Sequence, residues 1–168
     1  MTIIGNLMIF LVSSPFLHAA DPAGTYRLAD SAESLQAQKE AALEQTVAAL
    51  NPLLRYPASI RLSTKPPQCE QYQIVPIPNG QSVQCDSHHP LQLEQGTERV
   101  HTTKEGEKLR VESQIEPEVI HFKLHSDTGT MVTEMKFSGA QLTVTKSVQS
   151  PQLPVPLVMT YNYRKVSP

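Results

Sequence analysis

The chain reads as mainly β: an antiparallel meander that closes into a small barrel, preceded by one N-terminal amphipathic α-helix. Three observations carry this reading. Apolar residues alternate with period two in short segments between Ser82 and Val166, turn-forming clusters separate those segments, and one stretch of helical spacing comes before them. A meander of this kind must close, stack or be covered to bury one face.

The first twenty residues carry no charged side chain, and an apolar stretch runs from Ile3 to Leu17. It is short for a membrane span, which needs ~20 apolar residues. Leu17-His18-Ala19-Ala20 offers small residues for cleavage after Ala19 or Ala20, and no cysteine stands there to take a lipid. We read residues 1–20 as a secretory signal peptide, with an uncleaved N-terminal anchor as the alternative. Residues 21–168 then form a single helix-plus-barrel domain without an integral membrane segment. The protein is expected to be periplasmic or secreted.

Gly24 to Leu28 makes a first short strand. Asp30 stands three residues before Glu33, the spacing of a capping box, so the helix is expected from Ser31 to Asn51. Leu35, Ala42, Leu43, Val47 and Leu50 form its apolar stripe, with an acidic opposite side, and Pro52 ends it or starts a short turn through Leu53-Leu54. The stripe is expected to pack on the sheet.

After Pro57 the period becomes two. The alternating sets are Ile60 and Leu62; Leu91 and Leu93; Leu109 and Val111; Ile120, Phe122 and Leu124; Met131, Met135 and Phe137; Leu142, Val144 and Val148; and Met159, Tyr161 and Tyr163. Turns at Lys104–Glu107, Ser126–Gly129 and Ser138-Gly139 set the register. The first pairs Val100 with Val111 and Thr102 with Leu109. The second pairs Leu124 with Met131 and Phe122 with Thr133, and the third pairs Met135 with Leu142 and Met131 with Lys146.

Two cysteines, Cys69 and Cys85, are most simply a disulfide in an oxidising compartment. A two-residue turn at Asn79-Gly80 would offset them. Pairing them opposite each other needs Gln73 to face Gln81 across a loop from Ile74 to Gly80, and Pro76 and Pro78 favour that arrangement.

Lysine plus arginine number 14 and aspartate plus glutamate 16, a formal charge of −2. This near-neutrality gives no footprint for nucleic acid or acidic membranes. There are 14 prolines, mostly between the periodic segments, and no tryptophan beside five tyrosines and four phenylalanines, so the core is aromatic-poor.

Gly24-Thr25-Tyr26-Arg27-Leu28 resembles the Gly-x-Trp opening of lipocalin-like proteins, with Tyr26 in the place of Trp. Gln141–Thr145, the run Ser150–Leu157, and Tyr161-Asn162-Tyr163-Arg164 resemble the ending of small secreted bacterial proteins called lipocalin-like. The resemblance implies a lipocalin-like β-barrel with an interior cavity, and names no ligand.

By parity Lys146 shares its side with Leu142, Val144 and Val148, so its ammonium is expected to point into the space bounded by Met131, Thr133, Tyr161 and Tyr163. A lysine on an inward apolar face costs energy unless paired. It either meets the anionic head of an amphipathic ligand, with the tyrosine hydroxyls assisting, or lies near the rim with its stem on the core. The candidate ligand-binding set is Lys146, Tyr161, Tyr163, Met131, Thr133 and Phe122.

No Gly-x-Ser-x-Gly, His-Glu-x-x-His or glycine-rich phosphate loop is present. No catalytic residue and no cofactor is therefore assigned. His121 and His125 lie ~13 Å apart along one strand, too far for one metal, and face away from the core. His88-His89 could ligate only if Cys85 were free, so no metal site is expected. The functional expectation is a non-enzymatic carrier of a small apolar or amphipathic ligand. The alternative is a protein-interaction module or inhibitor of the cell envelope, presenting the Ser150–Pro156 and Ile74–Gly80 loops.

Overall fold

A computed structural model describes residues 21–50 and 68–167. The expected signal peptide, the Leu53-Leu54 turn and the Ile60–Leu62 alternation lie outside the described residues. In chain order the elements are β1 (Gly24–Leu28), α1 (Ala32–Ala48), β2 (Gln71–Ile77), β3 (Gly80–Cys85), β4 (Leu91–Glu94), β5 (Glu98–Thr102), β6 (Lys108–Glu116), β7 (Val119–Ser126), β8 (Gly129–Ser138), β9 (Gln141–Gln149) and β10 (Leu157–Ser167).

The ten strands form one antiparallel sheet in the order β4-β3-β2-β1-β10-β9-β8-β7-β6-β5. It curls until the turn after β4 laps onto β6. Gly96 N–H donates to the Ser113 carbonyl, the Ser113 hydroxyl donates to the Glu94 carbonyl at 2.7 Å, and Ile115 N–H donates to Gln95 Oε1. The result is the expected nearly closed antiparallel barrel with a single N-terminal helix. Its inward face carries Val83, Leu93, Val111, Ile120, Phe122, Met135, Phe137, Leu142 and Val144, all buried. Each such side chain contributes ~1.5–3 kcal/mol of burial.

Side chains pack closely at the end where Gly24 approaches Ser167. Lys165 Nζ lies 5.8 Å from the Tyr26 ring centroid and donates to the Asp21 carbonyl, and Tyr26 meets Phe137 edge-on at 5.9 Å. Gly24 has φ +137°, and the Lys165 side chain occupies the space a Cβ would need. The opening motif noted in the sequence thus plugs one end.

Helix α1 springs from the other end. Its N-cap is Ser31, whose hydroxyl accepts from Ser34 N–H, and not Asp30 as the capping-box spacing predicts. The Asp30 carboxylate is taken by β10, accepting from the Asn162 backbone N–H at 2.7 Å and from its side-chain amide. A charge-assisted bond to a strand leaves the weaker hydroxyl to cap the helix. Leu35 is buried in the core with Ala42 packed beside it, whereas Leu43 and Val47 are half-buried and Thr46 is fully buried. The helix is therefore only weakly amphipathic.

Register agrees at β7–β8, where Leu124 faces Met131 and Phe122 faces Thr133. At β5–β6 it differs by one residue: Arg99 faces Val111 and Val100 faces Arg110. Thr103 joins the turn, bonding Glu107 through its backbone and hydroxyl, and Gly106 takes φ +86°. This five-residue loop turns Val100 outward, 68 % exposed, and Arg99 and His101 inward. At β8–β9 the turn is Gly139-Ala140, with Gly139 at φ +58°, so Met135 faces Val144 and Thr133, not Met131, faces Lys146. That two-residue shift preserves the faces.

The β2–β3 hairpin also differs. Its turn is Pro78-Asn79, Gln73 faces Gln84, and Pro76 sits within β2. Pro76 stands past the last β1–β2 pair, Gly24 with Ile74, so no β1 partner requires the N–H it lacks. The Cys69–Cys85 disulfide forms nonetheless, with Cα atoms 5.4 Å apart, because Cys69 precedes the ladder. The Asp86 carboxylate gathers the Glu70 and Gln71 N–H groups at 3.2 and 2.8 Å and bends the chain back toward Cys85. Replacing both cysteines by serine is expected to lower stability by about 3 kcal/mol. The check is a lower urea midpoint, with far-ultraviolet dichroism of the native state preserved.

Candidate ligand-binding site

Cross-strand pairs on the inward face assemble into rows. One row runs Ser113, Phe122, Thr133, Lys146 and Met159 across β6 to β10. Three of its five members are polar, and all five are buried. The rows on the Gly24 side are apolar or aromatic. On the α1 side the next row is Val111, Leu124, Met131, Val148 and Leu157, of which Leu124, Met131 and Val148 are only half-buried. The polar row thus lies one layer below a half-open apolar mouth.

Lys146 is inward, as parity predicts, and 8 % exposed. Its Nζ lies 5.8 Å from the Tyr72 and Tyr161 ring centroids and 3.8 Å from Cys69 Sγ. Burial pulls its pKa down from 10.5 to about 8, partly opposed by the negative Asp86. The rim alternative, an ammonium snorkelling into water, does not describe this placement. Thr133 Oγ1, on the directly opposed residue, is buried with no hydrogen-bond partner among the described residues.

The structure gathers most of the expected set around Lys146, with two changes. Met131 faces Val148 one row up, and Tyr163 turns its hydroxyl to the Cys69 carbonyl at 3.0 Å while meeting Tyr72 edge-on at 5.0 Å. Tyr161 donates to Met159 Sδ, and Phe122 stands beside Thr133 in the polar row. Burial raises the pKa of Tyr72, Tyr161 and Tyr163 above the ordinary phenol value, so near neutral pH all three are neutral phenols. Tyr72, Met159, Ser113 and Cys69 are members the sequence reading missed. Tyr72 and Ile74 alternate as the later strands do; assigning Ile74 to a loop hid that signal.

A cleft of about 650 Å³ opens at the same end, between β1, the start of α1 and residues 68–71, with Arg27, Asp30, Leu35, Gln71 and Asp86 on its walls. A second, of about 500 Å³, lies along β6 and β7 with Glu112, Gln114, His121 and Lys123 on its walls. Ser113 and Phe122 of the polar row also lie on its walls. His121 and His125 point away from the core, as expected, but they are engaged by cross-strand carboxylates. His121 meets Glu134 at 3.6 Å, and His125 meets Glu112 at 3.1 Å and the Thr130 hydroxyl at 3.0 Å. The sulfurs of Cys69 and Cys85 and a carboxylate oxygen of Asp86 lie within 4.8 Å of one another. With the sulfurs joined to each other, no thiolate is offered to a metal.

No family model matches the chain, and no curated protein does. Solved structures do match. A secretory abundant heat soluble protein from Ramazzottius varieornatus is 12 % identical with a TM-score of 0.53, the match covering 86 % of this chain and 94 % of that one. Fatty-acid-binding protein 1 of Echinococcus granulosus is 14 % identical with a TM-score of 0.51, over 86 % and 96 % of the two chains. Lipid binding protein 8 of Caenorhabditis elegans is 13 % identical with a TM-score of 0.51, over 85 % and 94 %. At such identities the likeness is one of fold, and the fold is a lipocalin/fatty-acid-binding-type β-barrel. No helix among the described residues is long and apolar enough to cross a membrane.

The Lys146 pKa has a signed consequence for stability. Between about pH 8 and 10.5 the unfolded chain binds more protons than the native one, so stability rises with pH. Above pH 10 the buried tyrosines, whose folded pKa values are raised, act the other way. The wild type is expected to gain on the order of 2 kcal/mol relative to Lys146→Met between pH 8 and 10. Parallel urea titrations of the two proteins at each pH read this directly; curves that stay parallel would refute it.

Proposed function

We propose that this protein is a non-enzymatic carrier of a small amphipathic molecule, whose polar head meets the Ser113–Thr133–Lys146 row and whose apolar tail lies toward the mouth. The observation that carries the reading is a row of buried polar side chains, Ser113, Thr133 and Lys146, inside the barrel, in which the Thr133 hydroxyl has no hydrogen-bond partner among the described residues. A buried hydroxyl left without a partner is costly, and a polar ligand head that bonds to it offsets that cost. A carboxylate suits the row best, accepting from the ammonium and from the Thr133 hydroxyl.

The half-buried Leu124, Met131 and Val148 supply an apolar approach to that row. The matched proteins named for fatty-acid and lipid binding share this architecture, which makes the reading consistent without identifying the ligand. The disulfide supports an oxidising compartment, so the carrier is read as periplasmic or secreted. The interaction-module alternative loses half of its motive, because Ile74–Gly80 is strand and turn instead of a presented loop.

Decanoate is expected to bind the purified full chain in calorimetric titration. Lys146→Met should weaken it by ~1–3 kcal/mol while leaving decanol, which has no charge to pair, nearly unchanged. Equal loss for both ligands would show that Lys146 shapes the cavity and does not read the head. Absence of binding by either would overturn the carrier reading.

A further inference from the structure

We propose that Arg27 and Arg164 bind the phosphate-monoester group of an anionic ligand on the outer wall of the barrel, at a site separate from the interior row. The two arginines are direct cross-strand partners where β1 pairs with β10. Their neighbours Tyr26 and Tyr163 are buried in the core, so by alternation both arginines point outward, and both are exposed. Directly opposed residues have Cβ atoms ~5 Å apart, and like charges placed there repel.

Elsewhere on the barrel such repulsion is relieved by neighbouring side chains. Glu98 faces Glu112 across β5 and β6, and Arg110 and Lys123 answer the two carboxylates at 3.7 and 3.8 Å. Neither Arg27 nor Arg164 forms an ion pair among the described residues. Asp30, Glu70 and Asp86 share the cleft beside α1 with Arg27. Asp30 is committed to the Asn162 backbone and side-chain amides at 2.7 and 3.1 Å, and Asp86 to the Glu70 and Gln71 backbone N–H groups. Arg27 leans along the row, its Nε donating to Gln71 Oε1 at 3.5 Å, while Gln141 faces Arg164 on the other side. Across β9, β10, β1 and β2 the outer row therefore runs amide, guanidinium, guanidinium, amide, with N–H donors and no counter-charge.

A guanidinium presents its N–H groups as a planar fork that matches phosphate oxygens. Two forks on neighbouring strands suit an anion with three free oxygens and two charges better than a single carboxylate does. A phosphate monoester carries close to two charges above about pH 6. Bound between the arginines, it replaces their mutual repulsion by attraction to a shared centre. Arg27 also stands on the wall of the cleft of about 650 Å³ together with Leu28 and Leu35, which offers the organic part of the monoester an apolar surface.

The test has two arms, both on the full chain at pH 8 and low ionic strength. Phenyl phosphate is titrated in by calorimetry, and phosphatidylcholine vesicles with and without phosphatidic acid are tested by co-sedimentation. The proposal expects saturable binding in at least one arm, weakened about fivefold by Arg27→Gln and by Arg164→Gln and unchanged in Arg110→Gln. Both site arginines are exposed, so both variants are expected to keep the native far-ultraviolet dichroism and urea midpoint. Binding of phenyl phosphate assigns a soluble monoester; binding only of the vesicles that contain phosphatidic acid assigns a lipid head group. An equal loss in Arg110→Gln would show general attraction to positive charge and overturn the site, as would absence of binding in both arms. Either of those results leaves the interior carrier reading, tested with decanoate, standing.

Discussion

Strand β1 is five residues long, yet it is hydrogen-bonded along both edges, to β10 through Thr25–Leu28 and to β2 through Gly24–Arg27. That double pairing joins the two ends of the chain in sequence and leaves only β4 and β5 to meet across the remaining gap. The turn between them lies over β6, so the unpaired length of edge is short. With the sheet curled, every second residue faces a common interior, and the apolar burial that stabilises the domain becomes possible.

The same curl turns a tolerable residue into a costly one. On an open sheet Lys146 would reach water; in the barrel it is enclosed by aromatic rings and the disulfide. The fold sustains this by placing the negative Asp86 nearby and by ringing the amine with the faces of tyrosines. Asp86 also organises the backbone of Glu70 and Gln71, which brings Cys69 to Cys85 and to Lys146. Disulfide, bend and buried amine are therefore one mechanical unit at the mouth end.

The two ends of the barrel divide the work. Tyr26, Phe137 and Lys165 fill and seal one end, and the rings of Tyr72 and Tyr163 brace the wall near the polar row. Towards α1 the inward side chains become half-exposed, and a polar-walled cleft opens beside the helix start. The outer face is occupied by ion pairs, Lys123–Glu112 across β7 and β6 and Lys136–Glu134 along β8, which keep it solvated.

Alternation by itself determined which residues face inward, since a period of two survives any shift by an even number of residues. That is why Lys146, Tyr161, Tyr163, Thr133 and Phe122 could be read as interior although the β8–β9 turn lies one residue further along than its sequence suggests. The same logic explains the failure at β5. Thr103 added one residue to the loop, and an odd shift exchanged the faces, sending Val100 out and Arg99 in. Only the tertiary structure could decide contacts between strands distant in sequence: Tyr72 and Cys69 beside Lys146, Asp30 drawn from the helix cap to Asn162, and Ser113 tied to Glu94. Those depend on how far the sheet curls and how its rows stagger, and closure of the whole barrel sets both, whereas facing within a strand is local geometry that the chain carries in its own residues.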